Sequence, residues 1–129
     1  MSKPSRRKLT STNYQNEAAL IAGCPLAAAM KLVGGRWKPM ILWYVHHGLR
    51  RFSALQATIV SISEKMLYQQ LRELERDGLL VRLASGPRRV GYALTGLGAS
   101  LVPILQSLAV WSAEHDVARR LLGEVARAA

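Results

Sequence analysis

Apolar side chains recur along this chain at helical, alternating and heptad spacings. Between residues 63 and 76, Leu67, Leu71 and Leu74 fall at i, i+4 and i+7, a narrow stripe on one side of a helix. At about 100° per residue, Lys65, Gln69, Arg72 and Arg76 project from the opposite side, with Tyr68 at its edge. Ser63 is a good N-cap, and Glu64 suits the positive end of the helix dipole. The alternative start is a capping box of Ser61 and Glu64, two residues earlier. Asp77-Gly78 stops the helix. The β-prone run Leu79-Leu80-Val81-Arg82-Leu83, the turn 84–88 and the alternating Arg89–Leu94 then form a hairpin.

Thr95 reads as the N-cap of a last helix. Its Leu97, Leu101, Ile104, Leu108, Trp111, His115, Ala118 and Leu122 are spaced alternately four and three apart, a heptad-type seam. Pro103 lies inside it and either kinks the helix or marks where its regular part begins. Upstream, Cys24-Pro25 opens a helix with Leu26, Met30 and Val33 at helical spacing, and Gly34-Gly35 closes it. A second helix runs from about Arg36 to His47, with Trp37, Ile41, Tyr44 and Val45 on one face. Pro39 is tolerated in its first turn. A short third helix covers about Ser53 to Thr58, where Phe52, Leu55 and Ile59 line up, and residues 59–62 make a turn.

This order predicts a mainly α fold with a small β-hairpin wing: a winged helix-turn-helix with a C-terminal dimerisation helix. The domain spans residues 17–122. Residues 1–16, with four cations and no acid, read as a flexible basic arm, either touching phosphates or simply solvated. Residues 123–129 read as a frayed tail.

Composition sharpens this picture. Half of the 129 residues are hydrophobic but only 6% are aromatic, so the chain is not disordered as a whole and its core is aliphatic. Lys and Arg number 18 against 8 acidic residues, a net charge of +10. That imbalance exceeds what solubility asks for and points to a polyanionic partner. The single cysteine, Cys24, excludes a disulfide within the chain and fits a reducing cytoplasm. Ile21-Ala22-Gly23-Cys24 has the look of a lipoprotein cleavage box, but the polar stretch 11–17 leaves too short an apolar core for a signal. No run of about 18 uninterrupted apolar residues exists, so no membrane span is expected. No Cys/His spacing suits a metal, and no nucleophile elbow, P-loop or GxGxxG is present. Neither a cofactor, a metal nor an enzymatic activity is expected.

A helix with a basic outer face fits the major groove of double-stranded DNA. Lys65 and Arg72 suit guanine O6 and N7, Gln69 suits adenine N6 and N7, and Tyr68 borders the same surface. Ser63 and the free N–H groups beside it suit a phosphate, as do Arg51 and the neighbouring Arg50. Arg88 and Arg89 at the wing tip suit the backbone or a narrow minor groove. The plainer reading is a solvated helix face laced by ion pairs, such as Arg76 with Glu73 or Asp77. The seam of the last helix either packs on its own domain or pairs with a second copy. The expectation is both, with the first turns inward and Leu101, Ile104, Leu108 and Trp111 in a homodimer interface.

Several motifs then carry a resemblance. Cys24-Pro25-Leu26, Gly34-Gly35-Arg36-Trp37-Lys38, Arg51-Phe52-Ser53-Ala54-Leu55, Ile62-Ser63-Glu64-Lys65-Met66-Leu67, Gln70-Leu71-Arg72-Glu73-Leu74-Glu75, Asp77-Gly78-Leu79 and Tyr92-Ala93-Leu94-Thr95 resemble the HxlR-type winged-helix regulators, cousins of the MarR proteins. The resemblance runs from about Cys24 to Trp111. It implies a cytosolic, dimeric, sequence-specific transcriptional regulator of a pseudo-palindromic operator, a repressor or an activator. It also implies, for some members, sensing of a small electrophile or oxidant through a cysteine where Cys24 stands. The segment between Val81 and Arg89 is shorter than that pattern, and Gly91 replaces a commonly acidic residue. A thiol at a helix N-terminus in a basic protein favours thiolate, whereas a free cysteine is ordinarily a buried, inert one. The rival reading of the whole chain is a nonspecific architectural DNA binder.

Overall fold

The computed structural model describes residues 12–84 and 90–128. In chain order the elements are α1 (Thr12–Gly23), α2 (Pro25–Val33), α3 (Lys38–His46), α4 (Phe52–Thr58), α5 (Glu64–Arg76), β1 (Leu80–Ala84), β2 (Val90–Leu94), α6 (Gly96–Glu114) and α7 (Val117–Ala128). The core gathers Ile41, Leu42 and Val45 of α3, Leu55 of α4, Leu67, Leu71 and Leu74 of α5, and Leu79, Leu80 and Tyr92 around the hairpin. It is aliphatic except for Tyr92, as the scarcity of aromatic residues requires.

The hairpin is antiparallel, in register from Leu80↔Leu94 to Ala84↔Val90. A third segment joins it. Arg51 bridges to Gly91, and the Tyr92 N–H donates to the Arg50 carbonyl at 2.8 Å. Gly91 has room for a side chain, since a Cβ there would lie 3.7 Å from the Arg50 carbonyl oxygen. Thr95 caps α6: its Oγ1 accepts from the Gly98 N–H at 3.1 Å and donates to the Gly78 carbonyl. Gly98 is buried so close to the Leu79 carbonyl that a Cβ would stand 2.2 Å from its oxygen. The first turn of α6 is thereby pressed against the end of the helix-turn-helix.

Four features depart from the sequence expectations. α1 begins at Thr12, inside the segment read as an arm, because the run Gln15 to Leu20 consists largely of helix formers and Glu17 pairs with Lys31 of α2. Polarity alone therefore does not argue against a helix. The chain bends by 118° between α1 and α2 at Cys24.

In α2 Val33 is buried in the core and Leu32 packs against it, while Leu26 and Met30 stay exposed. Their spacing marks an apolar face without saying what covers it.

The seam of the last helix is also interrupted. α6 passes through Pro103 but ends at Glu114, and Asp116 takes a left-handed conformation with φ 50°. His115 Nδ1 lies 2.9 Å from the Trp111 carbonyl oxygen, so the ring meets a carbonyl of the final turn and helps to end it. Ala118 and Leu122 belong to α7, which runs as helix to Ala128 through residues read as a tail.

Lastly, α6 is long and apolar enough to cross a membrane, with a mean hydropathy of 1.4 over its best window. Its interruptions before Glu114 are Gly, Ser, Pro and a single Gln, none of them charged, so the apolar residues dominate the average. It packs instead against α3 and β2, with Gly98 and Val102 buried.

Candidate nucleic-acid interface

The geometry of α5 is set from beneath. Leu67, Leu71 and Leu74 are each 0% exposed, which fixes the helix's roll and turns Lys65, Tyr68, Gln69 and Arg72 to solvent. Ser63 is the N-cap, its Oγ accepting from the Met66 N–H at 3.0 Å, so the helix starts at Glu64. Ser61 lies outside it, in the turn, at φ 73°. Tyr68 is held at the edge of the outer face against the Phe52 ring, centroids 4.9 Å apart. Along this face runs an open groove of about 900 Å³, bordered by Lys65, Tyr68, Gln69, Arg72 and Arg76 together with the carboxylates Glu64 and Glu73.

Ion pairing divides the cations around the helix into two groups. Lys38 of α3 is buried and reaches Glu73 at 3.1 Å. Arg76 pairs with Asp77, Nε to Oδ1 at 3.1 Å and Nη2 to Oδ2 at 3.3 Å, and this hydrogen bond holds its guanidinium above the ordinary arginine range. Lys65, Arg72, Arg51 and Arg82 have no ion pair among the described residues, and all four are exposed. Of the two acids that the sequence offers Arg76, Asp77 is the partner taken, and Glu73 is instead engaged from below by Lys38. The signal of Lys38 was a lone cation ahead of the apolar run from Met40 to Val45.

Among the remaining site residues, Arg88 and Arg89 lie outside the described residues. Cys24 is free and half-buried, at the corner between α1 and α2, where it occupies the N-cap position of α2 without a side-chain capping bond. Of the four seam residues, Leu101 packs against its own core. Ile104, Leu108 and Trp111 are 62%, 60% and 53% exposed. Leu26 and Met30 of α2, whose spacing had the look of a core face, and Leu121 and Leu122 of α7 add further exposed apolar surface. Among the described residues no group of three or more His, Cys, Asp or Glu side chains is placed to hold a metal.

The family model for HxlR-like helix-turn-helix proteins matches residues 32–119, from α2 into α7. The chain belongs to the HxlR-like helix-turn-helix family. It is 43% identical over 90 residues to the HTH-type transcriptional regulator YtcD of Bacillus subtilis, covering 68% of this chain and 71% of that one. Among solved structures, the oxidised form of the redox regulator HypR aligns with a TM-score of 0.66 at 33% identity, covering 70% of this chain and 96% of that one. Diamide-treated YodB from B. subtilis aligns with a TM-score of 0.58 at 33% identity, covering 70% and 93%. This HxlR-like protein is thus a transcriptional regulator with a winged helix-turn-helix DNA-binding domain, and the family is one of regulators, not enzymes.

Proposed function

We propose that this HxlR-like chain is a cytoplasmic, homodimeric, sequence-specific repressor that inserts α5 into the major groove of a pseudo-palindromic operator. One observation carries the reading: Lys65, Gln69 and Arg72 stand exposed over fully buried leucines, and neither cation is paired with an acid among the described residues. Arg72 and Lys65 then donate to guanine, and Gln69 pairs with adenine. Ser63, Tyr68 and Arg51 hold the backbone near α5, and Arg88 and Arg89 hold it from the wing. The exposed Ile104, Leu108 and Trp111 supply the two-fold contact, spacing two α5 helices about one turn of DNA apart. Leu101 braces α6 on its own domain.

The reading extends to Cys24. Its place at the bend between two helices, and the likeness to a protein described as a redox regulator, support sensing of an oxidant or electrophile. With one thiol per chain, a small thiol, an alkylating ligand or the second subunit must complete the modification.

Footprinting on the DNA flanking its own gene, before and after diamide or quinone treatment, tests both parts. Protection of a two-fold site, at least about 10³-fold tighter than random duplex at equal salt, supports the regulator. Equal affinity for both DNAs favours an architectural binder instead. Protection that survives treatment unchanged removes Cys24 from the mechanism.

A further inference from the structure

Two arginines from separate elements border an open depression of about 360 Å³ beside the recognition helix. Arg51 is the N-cap residue of α4, and Arg82 is the central residue of β1. Ser53, Tyr68, Tyr92 and Glu64 share the rim. The backbone fixes the arrangement: Arg51 is bridged to Gly91, and Arg82 stands opposite Tyr92 in the hairpin register. Both arginines are exposed, and neither has an ion pair among the described residues. Two arginines on the rim of one depression, set against the single carboxylate of Glu64, leave it an excess of positive charge that favours an anion. Planar guanidinium forks suit phosphate oxygens, and the hydroxyls of Ser53 and Tyr68 add donors of the same kind.

We infer that this depression seats one phosphate of the DNA backbone, held jointly by Arg51 and Arg82. The inference rests on the DNA-binding reading above and adds a residue to it. Arg82 stands at the middle of β1, in the paired part of the hairpin. The seat lies between α5 and the hairpin, so its phosphate belongs to the strand passing from the major groove filled by α5 toward the wing. Such a contact is blind to sequence. It fixes the height at which the helix enters the groove.

The test uses the full-length protein and a short mixed-sequence duplex, titrated over a range of salt. Arg51→Gln, Arg82→Gln, the double variant and Arg82→Lys are compared with the unaltered protein, each checked for an unchanged unfolding transition. The double variant should lower the slope of log affinity against log salt by about 0.9, the value of one phosphate. Its loss of affinity should depart from the product of the two single losses by at least about twofold, because the two cations share one ligand. Arg82→Lys should keep the slope. A double variant that binds with the original slope overturns the seat, and so does a double loss equal to the product of the singles. Failure of the unaltered protein to bind any duplex overturns the underlying DNA-binding reading instead.

Discussion

The ammonium of Lys38, at the start of α3, lies 3.1 Å from a carboxylate oxygen of Glu73, near the end of α5. The contact spans 35 positions of sequence and ties the recognition helix to the layer that packs against α6. The Lys38 side chain is 11% exposed and that of Glu73 26%, so solvent screens the pair only in part. Removing either partner strands a charge in poorly solvated surroundings. Lys38→Ala should therefore lower stability by about 1–3 kcal/mol, read from urea unfolding. Lys38→Met combined with Glu73→Gln should recover most of that loss. A single variant as stable as the parent protein would show that the pair is idle.

Substitutions at Arg72 and Arg89 test the proposed division between base reading and backbone holding. Arg72→Ala should cost about 1–3 kcal/mol on the operator and much less on random duplex. Arg89→Ala should weaken both alike and flatten the salt dependence. Competition binding at fixed salt provides the comparison, and equal losses on both DNAs for Arg72→Ala would remove it from base readout.

Leu108→Glu places a charge in the middle of the exposed face of α6, four residues from Ile104 and three from Trp111. The monomer should fold normally, because Leu108 is 60% exposed within its own chain. Sedimentation should shift from two chains to one, and affinity for a two-fold site should fall steeply. Unchanged sedimentation would place the contact elsewhere, with Leu26 and Met30 as the next surface to alter.

Ser61 holds φ 73° in the turn between α4 and α5, a conformation in which a side chain is strained. Ser61→Gly should be neutral to about 1 kcal/mol stabilising, since relief of strain is offset by a looser unfolded chain. Ser61→Val should be destabilising by about 1–3 kcal/mol, because β-branching is least tolerated there. Calorimetric melting of the two variants gives the order directly.

Burial pushes the Tyr92 hydroxyl above the ordinary tyrosine range; the charge of Glu75 adds to this, and Arg82 opposes it. The folded state thus prefers the neutral ring. That preference contributes fully below the unfolded tyrosine pKa of about 10 and is lost as pH rises through the folded value. Stability should fall in this alkaline window, and Tyr92→Phe should remove that part of the decline. An identical alkaline profile in Tyr92→Phe would assign the loss to other groups.

Much of the DNA-facing half could be read from residues alone. Ser63, the leucines at 67, 71 and 74, and Asp77-Gly78 gave both ends and the buried side of α5, because cap, stripe and stop agree. Thr95 likewise marked the start of α6. What escaped depended on contacts distant in sequence. Periodicity does not identify the partner of Lys38, since Glu73 lies on another helix. α1 has no buried residue, so it left no apolar rhythm to find. The heptad spacing continued numerically across His115 and Asp116, while the backbone turned there. Leu26 and Met30 had the rhythm of a core face and are exposed.

The lacing of β2 to Arg50 and Arg51 bears on how the molecule meets a duplex. A hairpin rooted on one side only could swing to suit whatever groove it met. Here β2 is stitched to the residues that lead into α4, so the paired strands are braced against the helix-turn-helix from a second side. On the proposed operator-binding reading, a wing braced in this way would leave adjustment to the DNA: sequences that narrow or bend readily at the right distance would fit at least elastic cost, and discrimination would extend to base pairs that no side chain reaches.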